Sequence, residues 1–111
     1  MICGSNCPNY RRISDKKEEV QLNRIDELSE IFKILSDPTR LKIICSLLNN
    51  EIRVLEISTK LNINRTTVSH QLKILRDNKL VKYKKVGLEK YYSLKDAHIE
   101  QILLQGIDYI K

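Results

Sequence analysis

Ile57-Ser-Thr-Lys-Leu-Asn-Ile-Asn-Arg-Thr-Thr-Val-Ser-His-Gln-Leu-Lys-Ile-Leu-Arg76 decides how this chain is read. The stretch holds the end of one short helix and most of a second. The first spans Val54 to Leu61, with Leu55 (or Val54), Ile57 and Leu61 turned inward. Asn62-Ile63-Asn64 forms a turn. The second helix runs from about Arg65 to Asn78. Its inner stripe is Val68, Leu72 and Leu75, and its other side carries Arg65, Thr66, Ser69, His70 and Lys73. Two short helices joined by a three-residue turn form a helix-turn-helix. The second helix of such a pair enters a DNA major groove while its packed face stays on the domain.

Working outward, Leu80 to Val86 alternates as a strand does, Gly87 marks a turn, and Glu89 to Leu94 is the return strand. Upstream, Val20 to Leu35 reads as a helix with Ile25, Leu28, Ile31, Phe32 and Leu35 on one stripe. Ser36-Asp37-Pro38 starts the next helix, because a capping residue precedes proline at the first helical position. That helix carries Leu41, Ile44, Cys45 and Leu48 on one face and stops at Asn49-Asn50. The last helix spans about Asp96 to Ile110, with Ile99, Ile102, Leu103, Ile107 and Ile110 on one stripe. The order ααααββα is mainly α with a β-hairpin, an α+β winged helix-turn-helix. Residues 1–18 show no periodicity and are expected to be a flexible arm, and residues 19–111 to be the DNA-binding and dimerisation domain.

The 111 residues carry a net charge of +6. Basicity alone implies only an anionic partner, but its placement is more telling. Between Arg65 and Lys90 lie Arg65, Lys73, Arg76, Lys79, Lys82, Lys84, Lys85 and Lys90 against Asp77 and Glu89, so this segment holds the whole of the net charge. Such concentration is the electrostatic footprint of a nucleic-acid binder. No apolar run approaches the roughly 18–20 residues that cross a bilayer, and Met1 to Arg12 lacks a signal-peptide pattern, so a cytoplasmic protein with no membrane partner is expected. Three cysteines in such a chain do not make a disulfide framework. An enzyme is not expected either. There are two histidines, Asp96 and His98 stand at i and i+2, and no phosphate loop, nucleophile elbow or zinc-hydrolase spacing occurs.

The side chains on the second helix of the pair suit base recognition. Arg65 can pair with guanine O6 and N7, Gln71 with adenine N6 and N7, and the Thr66 methyl can touch a thymine methyl, while Ser69 and His70 donate or accept. Lys73 and Arg76, further along, are placed for phosphates. Lys84, Lys85 and Lys90 flank the Gly87 turn as a wing whose ammonium groups reach the DNA backbone or minor groove.

Four segments carry a family resemblance: Ser36-Asp-Pro-Thr-Arg-Leu-Lys-Ile43, Glu51-Ile-Arg-Val-Leu-Glu-Ile57, Thr66-Thr-Val-Ser-His-Gln-Leu-Lys-Ile-Leu75 and Tyr91-Tyr-Ser-Leu-Lys-Asp-Ala-His98. Over about residues 25–111 the chain resembles the ArsR/SmtB metalloregulatory repressors. The resemblance implies a homodimer built from the first and last helices, two reading heads on a palindromic double-stranded operator, and repression relieved by an inducer. The inducer the resemblance implies first is a metal ion such as Zn2+, Cd2+ or Pb2+.

The chain departs from the family's sensor patterns. One site of the family uses Cys-Val-Cys on the third helix, where this chain has Arg53, Val54 and Leu55 and so no thiolate. A second uses Asp-x-His on the last helix and two later ligands. Asp96 and His98 match the first half, Tyr109 stands at the next position, and the last falls past Lys111. Zinc takes about four ligands, and Asp96 has a simpler role as an N-cap. Cys3-Gly-Ser-Asn-Cys7 resembles the Cys-x3-Cys arm of the cadmium- and lead-sensing branch, and two thiolates can hold a soft metal with outside donors. Cys45 stands where some relatives sense persulfides or oxidants, but it also lies on a stripe with Leu41, Ile44 and Leu48, as a small core residue would. Two alternatives therefore stand beside the metal-released repressor. One is the same repressor sensing thiol oxidation, persulfide or no ligand. The other is a protein-interaction module on a winged-helix scaffold.

Overall fold

Three helices begin at side chains that accept from their own first turn. Asp37 Oδ2 takes the Arg40 N–H at 3.0 Å, Asn64 Oδ1 takes the Thr67 N–H at 2.8 Å, and Asp96 Oδ1 takes those of His98 and Ile99 at 2.9 and 3.4 Å. Each satisfies donors that a helix start leaves unpaired. The computed structural model describes residues 24–111 and places α1 at Ile25–Leu35, α2 at Pro38–Cys45, α3 at Val54–Leu61, α4 at Arg65–Asp77, β1 at Val81–Val86, β2 at Glu89–Leu94 and α5 at Ala97–Ile110. The chain divides into two units after Lys33. In the first, α1 exposes Ile25, Leu28 and Phe32, the last at 53%.

In the second unit, Ile43, Ile44 and Leu47 pack with Ile57 of α3 and with Val68, Leu72 and Leu75 of α4, all essentially inaccessible to solvent. Each such side chain contributes about 1.5–3 kcal/mol of transfer free energy. Leu80, Val81 and Tyr92 extend this core under the hairpin, and Ile99 and Leu103 seat α5. β1 and β2 pair antiparallel, Val81 opposite Leu94 and Val86 opposite Glu89. That register leaves a two-residue turn with Gly87 at φ +65° in its first position, which an L side chain fills only under strain. A bridge between Ile52 and Tyr92, at 3.0 and 2.8 Å, adds a third edge to the base of the wing.

Four expectations need correcting. The α2 helix stops at Cys45, not near Leu48. Ser46, Leu47, Leu48 and Asn50 then make bonds to residues three back, and Asn49 ends the run at φ +58°. Within the regular helix the buried stripe is Ile43, Ile44 and, just beyond, Leu47, offset from the expected one, so Leu41 is exposed and Cys45 and Leu48 are half-buried. In α3, Leu55 points outward, and Ile57 alone is fully buried. β1 starts at Val81, because Leu80 N–H closes the end of α4 on Leu75 O at 2.9 Å, across Lys79 in the left-handed region at φ +62°. On α5, Ile99 and Leu103 are buried, but Ile102, Ile107 and Ile110 of the same stripe are exposed. Residues 20–23 of the expected first helix, and the expected arm, lie outside the described residues.

Candidate nucleic-acid interface

The turn before α4 is locked locally. Asn62 adopts the left-handed conformation, the Ile63 N–H bonds Ser58 O, and the Ser58 hydroxyl donates back to Ile63 O. Asn64 then caps α4. With Val68, Leu72 and Leu75 pinned inside, Arg65, Thr66, Ser69, His70 and Lys73 stand exposed on the opposite face. Arg65, Thr66 and Ser69 line a cleft of about 670 Å³, walled by Val54 and Leu55 of α3 and by Leu88, Glu89, Lys90 and Tyr92 of the hairpin. The recognition helix and the wing therefore border one concave surface.

Gln71 is placed differently from its neighbours. It is half-buried, and its Oε1 accepts from Arg40 Nε at 2.8 Å, which ties α4 to α2. Lys73 pairs with Asp77 one turn on at 3.2 Å, an exposed pair worth little by itself. Arg76 lies 4.0 Å from Asp77 and sits over the Tyr83 ring, 5.3 Å from its centroid.

On the wing, Lys84 Nζ lies 3.4 Å from Glu51. Lys85 and Lys90 are direct cross-strand partners, an arrangement of like charges that destabilises a hairpin on its own. Lys90 Nζ rests 4.7 Å from the Tyr83 centroid. Leu88 at the tip is 98% exposed. Sequence reasoning missed Tyr83, Arg40 and Glu51. Tyr83 had a visible signal, since strand alternation places it on the same side as Lys85, and the antiparallel return brings Lys90 and Tyr92 to that side.

The matching family model, described as "Bacterial regulatory protein, arsR family", covers residues 37–83. A transcriptional repressor SmtB homolog from Synechocystis is 35% identical over 99% of this chain and 84% of its own. A cadmium resistance transcriptional regulatory protein CadC homolog from Staphylococcus aureus is 37% identical, over 79% of this chain and 73% of its own. The chain belongs to the ArsR family. It is a DNA-binding transcriptional repressor of the ArsR/SmtB type, and the family's members are transcriptional regulators. Its fold is the ArsR winged helix. A homodimeric winged helix-turn-helix DNA-binding domain from Mycobacterium bovis superposes with a TM-score of 0.72 at 24% identity, over 86% of this chain and 85% of that one.

The metal donors of the ArsR patterns are only partly gathered. His98 Nδ1 lies 3.5 Å from Asp96 Oδ1, but that oxygen already caps α5. Among the described residues, no three of His, Cys, Asp and Glu come together as a metal set. At the sequence position of the first cysteine in the resembled α3 pattern this chain has Arg53. Its Nε bonds Glu56 at 3.2 Å and its Cζ lies 5.8 Å from the Tyr91 centroid. The Arg53 N–H and side chain together hold the Glu56 carboxyl below its ordinary range. A fixed cation there does not fit a divalent metal. Cys45 is half-buried and burial pushes its thiol up, which disfavours the reactive thiolate. Cys3 and Cys7 lie outside the described residues. No described helix is long and apolar enough to cross a membrane.

Proposed function

We propose that this repressor acts in the cytoplasm as a homodimer on a palindromic double-stranded operator, with Arg65, Thr66, Ser69 and His70 reading base edges and Lys73, Arg76, Lys84, Lys85 and Lys90 holding the backbone. Gln71 sets the helix against Arg40 instead of reading a base. The observation that carries this reading is that Arg65, Thr66 and Ser69 of α4 border the same cleft as Lys90 of the wing, whose cross-strand partner is Lys85. Phosphate contacts fix register, and groove contacts specify sequence. The dimer reading is supported by the homodimeric state in the name of the M. bovis structure and by the exposed apolar faces of α1 and α5.

The experiment is a comparison of variants. Ser69→Ala or His70→Ala should weaken binding to a selected site by roughly 1–3 kcal/mol per lost base contact. Lys85→Ala should weaken all sequences about equally. An unchanged sequence preference in both α4 variants would remove the base-reading assignment. For release, the cadmium in one relative's name supports a metal ion, and Zn2+, Cd2+ and Pb2+ are the candidates. The donors this chain offers are Asp96 and His98 with the arm thiols Cys3 and Cys7. Titrating reduced protein with each ion while following operator affinity tests it, and a change under a few-fold for every ion sinks the metal reading.

A further inference from the structure

Tyr83 is the one ring of the described residues that two cations share. Arg76 reaches it from the last turn of α4, with Cζ 5.3 Å from the centroid, and Lys90 from β2, with Nζ at 4.7 Å. Tyr92 backs it at 5.4 Å with the planes tilted by 49°, and Tyr92 is itself buried and hydrogen-bonded through its backbone to Ile52. The ring therefore rests against a buried neighbour. Two positive groups on separate elements repel unless something attracts both, and the negative face of an aromatic ring does so. Lys90 also faces Lys85 across the hairpin and forms no ion pair among the described residues. Arg76 and Lys90 thus meet at one ring, with Lys85 opposite Lys90 on the hairpin and Asp77 4.0 Å from Arg76.

We infer that Tyr83 is a positioning residue for DNA, holding Arg76 of the recognition helix and Lys90 of the wing together as a two-cation seat for backbone phosphate. This rests on the DNA-binding reading above and deepens it. The seat joins the end of α4 to the wing, so a phosphate bound there fixes the angle between the two DNA-contacting elements. It supplies no sequence information, because phosphates are the same at every step. Its signature is the salt dependence of binding to any duplex.

The test uses the full-length dimer and a labelled mixed-sequence duplex of about 30 base pairs, roughly three helical turns. Affinity is followed from 50 to 200 mM salt for wild type, Tyr83→Phe and Tyr83→Leu. Each phosphate contact contributes about 0.9 to the slope of log affinity against log salt, so losing one per protomer flattens the slope by about 1.8 and shrinks the affinity loss over this range about tenfold. Tyr83→Leu keeps every charge yet should flatten the slope by that amount. Tyr83→Phe keeps the ring and should retain the wild-type slope. A ring that merely packs the hairpin leaves the slope of the leucine variant unchanged, which overturns the inference.

A second arm does not depend on the fold of Tyr83→Leu. Arg76→Ala and Lys90→Ala, both at solvent-accessible positions, are combined on the same duplex. Loss in the double variant smaller than the product of the two single losses supports a shared seat, and losses that multiply overturn it. If the wild type binds no duplex with a measurable salt slope, the DNA-binding reading itself fails, and this inference with it.

Discussion

Replacing Gln71 by Leu separates two roles for the same side chain. In the structure its amide oxygen accepts a 2.8 Å bond from Arg40 Nε, and both side chains are half-buried. A hydrogen bond to a charged group contributes about 1.5–3 kcal/mol, and partial exposure brings this pair below that range, to about 1 kcal/mol. Leucine has nearly the same helix propensity as glutamine, so little is lost from α4 itself. The Arg40 guanidinium is left without that acceptor. Urea denaturation of Gln71→Leu should therefore show a loss of about 1 kcal/mol, or a melting temperature lower by about 4 °C or more for a domain of this size. Combining it with Arg40→Leu should give a double variant less damaged than the sum, by about 1 kcal/mol, as expected for residues in contact. Operator affinity should fall alike for all sequences, because the whole reading helix loses its brace against α2. Unchanged stability together with relaxed preference at a single base pair would refute this and make Gln71 a base reader.

Other outcomes follow from the same structure. Ile102→Glu or Ile107→Glu, on the exposed apolar face of α5, should raise the dimer dissociation constant at least about 100-fold, read by analytical ultracentrifugation, since an unpaired carboxylate would be buried. A dimer of wild-type affinity would exclude this face. Lys79→Gly relieves a left-handed non-glycine residue, about 1–2 kcal/mol, less the unfolded-state freedom glycine adds. Chemical denaturation should show a net gain of roughly 0.5–1 kcal/mol, and a loss would mean that Lys79 makes a contact that matters. In a Cys3→Ser/Cys7→Ser background, iodoacetamide should alkylate Cys45 more slowly than a free cysteine peptide at pH 8, because burial raises the thiol above its ordinary value of 9.0. The matching linkage has one sign: the stability Cys45 contributes is fully present below the unfolded thiol pKa and is lost as pH rises through the raised folded one. Alkylation as fast as the peptide near neutral pH would instead favour a sensing role for Cys45.

The recognition segment was legible because its signals agree at short range. The spacing of Val68, Leu72 and Leu75, the Asn62-Ile63-Asn64 turn and the Gly87 turn each specify local geometry, and α3, α4 and β2 fall within a residue of the expected bounds. What the sequence hid depends on tertiary partners. Gln71 looks like a base reader by residue type, and only the approach of Arg40, 31 positions away, shows where its amide goes. Leu41 looked buried because its apolar neighbours allow two stripes of helical period, and only packing selects Ile43, Ile44 and Leu47; Leu48 lies past Cys45, where the backbone tightens. The Ile52–Tyr92 bridge and the cations on Tyr83 are contacts between segments that no period encodes. Asp96, read as half of a metal pair with His98, makes the bonds of a helix cap, as the sequence also allowed.

Selection from a pool of randomised duplexes most directly tests the claim that this chain is a sequence-reading repressor using α4. The purified protein should enrich a two-fold symmetric site, with half-sites spaced by about one helical turn, 10–10.5 base pairs, or a multiple of it. Ser69→Ala or His70→Ala should erase preference at one position in each half-site. A bound pool with the same composition as the input would contradict the account.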